Sequence, residues 1–298
     1  MRARLLGFLL LTLALPALAG ESAWQPASLV QAEMREVQSQ HTGRSYRLYL
    51  SRPQGEAPAQ GFPVVYVLDA NLFFPLLSQQ ALMYQPHAAR EGREAVLVVG
   101  IGHPHDSPFD LAARAEDFTP PAPDLSDTGD RSGRPQGGAQ RFLDFLEDEV
   151  KPLVAARYPV DPQRQTLFGH SYGGLFTVYT LLTRPEAFQR YYAASPSLWW
   201  NRRHVFGLLE TFARSRPHPS VRLMLSVGGA EQPAFDVAPT DPRQRQLAER
   251  RMLDNARELQ ARLVDLGIAS DLQVPPATDH AGNGFISSVQ VLDFALTR

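Results

Sequence analysis

The stretch Thr166-Leu167-Phe168-Gly169-His170-Ser171-Tyr172-Gly173-Gly174 joins a short β-prone run to the pattern Gly-x-Ser-x-Gly. A helical pattern follows at once in Leu175, Phe176, Val178, Leu181 and Leu182. Strand, tight turn and helix in that order make the setting of a nucleophile elbow. Side chains beside the serine would clash in so tight a turn, which accounts for Gly169 and Gly173 as flanks. Ser171 Oγ then projects clear of the sheet, and the Tyr172 backbone N–H points where an oxyanion would form. Ser171 is the candidate nucleophile.

Around this turn the chain alternates strands and helices. Glu33 to Ser39 and Ser45 to Leu50 alternate as half-buried antiparallel strands do. Val64 to Leu68 and Ala95 to Ile101 are continuous apolar runs, the pattern of strands covered on both faces. Tyr191 to Ala194, Val221 to Val227 and Ser270 to Val274 are further strands. Helices are expected over Phe73 to Tyr84, Phe142 to Val154, Gln244 to Leu266 and Phe285 to Leu296. The order predicts an α/β fold with a mainly parallel central sheet, helices on both faces and an antiparallel N-terminal edge. Gly102 to Gly138 is rich in proline, aspartate and glycine, and reads as a long ordered excursion or lid.

With 298 residues and 44% hydrophobic content the chain can bury a full core, and one domain over 20–298 is expected. A net charge of -2 supplies no basic field, so nucleic acid is not an expected partner. Lys151 is the only lysine; the other cations are arginines, whose planar fork suits planar anions. Residues 1–19 read as a signal peptide: Arg2 and Arg4, an apolar run from Leu5 to Leu15, and Ala17-Leu18-Ala19 before Gly20. The expected product is an exported protein, periplasmic in a Gram-negative source, with no stable membrane insertion after cleavage. The chain has no cysteine, which excludes disulfides, zinc–thiolate clusters and a cysteine nucleophile.

A serine nucleophile of this class needs a histidine and an acid from loops at later strand ends. His280 alone among the eight histidines is both in that order and just past the last strand. Glu231 follows the Val221–Val227 strand and a Gly-Gly turn; Asp236, in the same loop, is the alternative acid, and a Ser–His dyad is a third possibility. The second oxyanion donor is expected from the loop after Leu68, at the backbone N–H of Asn71 or of Ala70, with Asp69 bracing the loop. His103-Pro104-His105-Asp106 offers a histidine pair but no third ligand at useful spacing, so neither a metal nor another cofactor is expected. Trp199 and Trp200 cannot easily share one face, so at least one is a candidate to line a cleft.

Several segments together carry a resemblance. They are Gly169 to Phe176, Ser195-Pro196-Ser197-Leu198-Trp199-Trp200-Asn201, Arg114-x-x-Asp117-Phe118-Thr119-Pro120, Gly137-Gly138-Ala139 and Val227-Gly228-Gly229-Ala230-Glu231. With these the chain resembles the esterase D-like α/β-hydrolases, above all the bacterial esterases of tri-catecholate siderophores of the enterobactin and salmochelin type. The resemblance implies an α/β-hydrolase fold and hydrolysis of a tri-serine lactone, with Ser171 as nucleophile and His280 as base. The cleaved chelate would hold iron less tightly. Alanine stands at position 70, where Leu-Asp-Gly is common in that family. The implied substrate is a small molecule, a ferric or iron-free catecholate siderophore. Arg131 and Arg134 in the excursion, and Trp199, Trp200, Arg202 and Arg203 after the elbow, are the candidates to hold its anionic rings. The alternatives are a general exported carboxylesterase or thioesterase, and an inactive siderophore-binding protein on the same fold.

Overall fold

The computed structural model describes residues 24, 27–91, 94–215, 220–233 and 239–297, with 85–91 as backbone. The expected signal segment 1–19 and the alternative acid Asp236 lie outside the described residues. β3 (Phe62–Leu68) is buried along its whole length. Its side chains alternate between two cores, Val64, Tyr66 and Leu68 facing one and Val65 and Val67 the other. That is the period of a strand with both faces covered, and it explains the unbroken apolar run.

β3 lies inside an eight-stranded sheet of order β1-β2-β4-β3-β5-β6-β7-β8. The others are β1 (Ala32–Gln38), β2 (Ser45–Ser51), β4 (Leu97–Gly102), β5 (Val160–His170), β6 (Arg190–Ala194), β7 (Arg222–Ser226) and β8 (Ala269–Gln273). β1 and β2 pair antiparallel, as does β2 with β4, and every pairing from β4 to β8 is parallel. One face is covered by α1 (Ala70–Glu91) and, at the far end of the chain, by the helix His280–Leu296. The other is covered by α3 (Ala139–Phe145) and α4 (Lys151–Arg157), joined by a π-helical turn, and by α5 (Tyr172–Thr183) and α6 (Trp200–Arg214).

Three expectations need correction. The Gly102–Gly138 excursion contains a helix, α2 (Leu111–Asp117), capped by Asp110, whose carboxylate accepts the N–H groups of Ala112 and Ala113. α2 is there to place Arg114. That guanidinium is buried, donates to both oxygens of Asp69 at 3.0 Å each, and lies over the Phe109, Phe118 and Tyr172 rings. Asp69 thus braces its loop, and removing one partner of such a buried pair costs about 3–5 kcal/mol. The helix expected over Gln244–Leu266 is instead two, α7 (Pro242–Arg250) and α8 (Met252–Asp265), broken at Arg251, whose φ is 48°. α7 buries no residue, whereas α8 buries Leu259 and Leu263 against the core, so continuity had nothing to enforce it. The final helix, α9, begins at His280 rather than Phe285 because Asp279 caps it.

Candidate active site

β5 ends at His170, and the next residue turns the chain sharply: Ser171 has φ 60° and ψ -115°. Neighbouring backbone holds it there. The Ser171 N–H donates to Ala194 O at 2.9 Å, and its carbonyl accepts from Leu175 N and Ser197 N. A Cβ at position 169 would lie 2.2 Å from the Gly173 carbonyl oxygen, and one at 174 would lie 2.8 Å from Ala194 O. Gly173 itself has ordinary room, its Cβ meeting nothing closer than Leu68 at 3.6 Å. Close approach therefore demands glycine at 169 and 174, a correction to the expectation that 169 and 173 are the pair.

His280 and Glu231 reach the serine from the ends of the last two strands. The loops after β7 and β8 are tied together, Gly229 N donating to Pro275 O at 2.9 Å and Ala230 N to Thr278 O at 3.0 Å. His280 Nε2 lies 3.0 Å from Ser171 Oγ, and its Nδ1 lies 2.6 Å from Glu231 Oε2. Glu231 is 3% exposed while the His280 side chain is 44% exposed, so the acid is sheltered and the imidazole meets solvent. A carboxylate can only accept, so the Nδ1 proton stays on His280 and leaves the Nε2 lone pair facing the serine hydroxyl. This is the arrangement that lets an imidazole take a hydroxyl proton. His170 lies beneath, its Nε2–H donating to the His280 carbonyl at 2.9 Å. Burial, and then the nearby His280, push its pKa down to about 3, so His170 stays neutral and does not compete for that proton.

A family model described as "Putative esterase" matches residues 39–285. The chain belongs to this esterase family. Ferri-bacillibactin esterase BesA of Bacillus subtilis (strain 168) is 34% identical over 87% of this chain and 86% of its own. The siderophore enterobactin esterase of Emericella nidulans is also 34% identical, over 76% of this chain and 78% of its own. The solved structure of siderophore hydrolase EstA from Aspergillus nidulans is 29% identical, covers 92% of this chain and 97% of its own, and has a TM-score of 0.79. The esterase shares the α/β-hydrolase fold with these neighbours.

In the esterase, the turns after β3 and β5 are neighbours, because Val67 pairs with Phe168 in parallel register. Tyr172 opens α5, and Ala70 and Asn71 open α1, so their N–H groups have no acceptor within the helix. Alanine suits position 70 because Asp69, with φ 51°, makes the left-handed turn and Ala70 is already helical. The Asn71 side chain does separate work, accepting from His103 N–H and donating to the His103, His105 and Ser107 carbonyls. His103 and His105 themselves face Asp117 and Asp110, at 3.7 Å and 3.4 Å. Among the described residues, no group of three His, Asp or Glu side chains could hold a metal.

Beside the elbow lies a groove of ≈ 1020 Å³ lined by five arginines and three carboxylates. Tyr172 links it to the serine: its hydroxyl donates to Asp130 Oδ2 at 2.8 Å and its ring centroid is 6.3 Å from that of Trp199. Of the residues expected to hold substrate, Arg131, Trp199 and Arg202 line this groove. The structure does not bring the other three there. Trp200 is 1% exposed, with its indole N–H donating to Gln136 Oε1 at 2.8 Å. Arg203 pairs with Glu258 over the Phe206 ring, and Arg134 is exposed outside the groove. Sequence reasoning missed Arg243, Arg245 and Arg250 on α7. Arg250 sits 4.4 Å over the Trp199 ring, and among the described residues it pairs with no carboxylate. The available signal was a short arginine-rich segment with no apolar stripe, which can have no core to serve.

Proposed function

We propose that this esterase cleaves the ester bonds of a tri-serine lactone catecholate siderophore. One observation carries the reading. A Ser171–His280–Glu231 chain with contacts of 3.0 and 2.6 Å stands next to a groove lined by five arginines. In the first step Ser171 Oγ attacks the ester carbonyl and its proton passes to His280 Nε2. Glu231 holds the imidazolium, and the Tyr172 and Asn71 N–H groups donate to the oxyanion. Collapse expels the serine hydroxyl of the opened lactone, which takes the proton from His280. Water then attacks the acyl-enzyme as His280 accepts its proton; the acid is released and Ser171 recovers its hydrogen. The Gly102–Gly138 segment forms one wall of the groove, fixed by Tyr172–Asp130, Trp200–Gln136 and Asn201–Thr128 hydrogen bonds.

A ferric tris-catecholate spreads about three negative charges over planar rings, and a protein of net charge -2 gives it no global attraction. Binding is therefore local, with Arg250 on Trp199, Arg131 and Arg202 as the contacts. Mass spectrometry of enterobactin and its ferric complex after incubation is expected to show stepwise gain of water and trimming of the lactone. Arg250→Ala is expected to raise KM for the siderophore about tenfold, the worth of one charge-assisted contact. On neutral p-nitrophenyl acetate the same variant loses far less. An untouched siderophore with rapid turnover of the p-nitrophenyl ester would replace this reading with the general carboxylesterase.

The proposed location is the periplasm, after cleavage between Ala19 and Gly20. Among the described residues no helix is long and apolar enough to cross a membrane. N-terminal sequencing of protein from its native host is expected to begin at Gly20; an intact Met1 in the membrane fraction would mean an uncleaved anchor.

A further inference from the structure

Glu231 is a buried carboxylate whose only titratable hydrogen-bond partner among the described residues is His280. Its other oxygen, Oε1, accepts two neutral donors, the Gly228 N–H at 2.7 Å and the Ser195 hydroxyl at 2.6 Å. Behind Ser195 the chain of contacts continues into the core. Asn283 Nδ2 lies 2.8 Å from Ser195 Oγ, and Ser226 Oγ lies 2.8 Å from Asn283 Oδ1. Ser195, Asn283 and Ser226 are all 0% exposed. The direction of every bond follows from the carboxylate. Ser195 must donate to it, so the Ser195 oxygen accepts from the Asn283 amide, whose own oxygen accepts from Ser226.

We infer that Ser195 is a positioning residue for hydrolysis, holding Glu231 Oε1 so that Oε2 stays on His280. The inference rests on the reading of Glu231 as the orienting acid. The backbone at Ser195 supports it: φ is 42°, a left-handed conformation that a non-glycine residue adopts at a cost, and its N–H donates to Ser226 O at 2.6 Å. Glycine would relieve that strain, but only a hydroxyl-bearing residue supplies the donor to Glu231. Alternative stabilisers are scarce. His170 faces the pair from β5 but is neutral, Asp279 beside His280 carries the wrong sign, and the buried cation Arg114 is committed to Asp69.

Without the Ser195 donor only the Gly228 N–H holds Glu231 Oε1, and the carboxylate is free to swing away from His280 Nδ1. The imidazole then loses the partner that fixes its tautomer, a loss felt in the chemical step and not in substrate binding. Ser195→Gly, which the left-handed backbone accepts, is expected to lower kcat on p-nitrophenyl acetate about tenfold with KM unchanged. Asn283→Ala leaves the Ser195 backbone alone and is expected to lower kcat by less, again with KM unchanged. A folded Ser195→Gly and Asn283→Ala that both keep the original kcat, whatever their thermal stability, would overturn the inference. Little loss in Glu231→Gln would instead overturn the acid assignment beneath it.

Discussion

Ser171→Ala is expected to lower kcat by at least about four orders of magnitude, and His280→Ala by a similar factor. The double variant is expected to be little worse than either. Non-additivity follows from the geometry: His280 Nε2, 3.0 Å from Ser171 Oγ, moves protons only for bonds made and broken at the acyl group on that oxygen, so neither group retains its role without the other. Residual turnover comes from the N–H groups of the two helix starts, which remain in place. Steady-state kinetics on p-nitrophenyl acetate and on enterobactin measure the loss, and labelling by a fluorophosphonate reports the serine directly. Strong labelling of the parent chain and none of Ser171→Ala is the expected pattern. A parent chain that does not label would mark the inactive binding protein.

Glu231→Gln is expected to cost about three to four orders of magnitude in kcat, more than loss of one ordinary hydrogen bond. The reason lies in the partners of Oε1. Two donors, Gly228 N–H and Ser195 O–H, meet there, so the amide oxygen of the glutamine must occupy that position. Its NH₂ group then faces His280 Nδ1, which can pair with it only as an acceptor. The imidazole proton moves to Nε2, the nitrogen 3.0 Å from Ser171 Oγ, and the base is blocked. The corresponding acid-to-amide change in the serine-protease triad costs about 10⁴ for the same reason. Asp236→Asn serves as the control, and a larger loss there than in Glu231→Gln would transfer the acid role to Asp236.

Local rules carried much of this into the sequence. Gly169 and Ser171 are legible because a strand-to-helix turn is made by adjacent residues and tolerates few side chains. His280 is legible because chain order and strand ends restrict the choice among histidines. Glu231 was harder, since it shares its loop with Asp236 and both could reach the imidazole. The 2.6 Å contact to Nδ1 singles out Glu231 among the described residues. The adjacent tryptophans show the same limit. Sequence says that they diverge, but only packing places Trp200 in the core and Trp199 in the groove.

By itself the sequence determined the alternation of strands and helices, the antiparallel edge, the serine on its turn and the histidine after the last strand. Each depends on periodicity or on residues a few positions apart. The tertiary structure alone decided that α7, broken from α8 at Arg251, sets Arg250 over Trp199. It also decided that Arg114 reaches Asp69 and that Ser226, Asn283 and Ser195 line up behind Glu231. Asp69 and Arg114 are 45 residues apart, and Asn283 and Ser195 are 88 apart. No local pattern records such meetings, because the packing of the whole sheet and its two helical layers sets the distances.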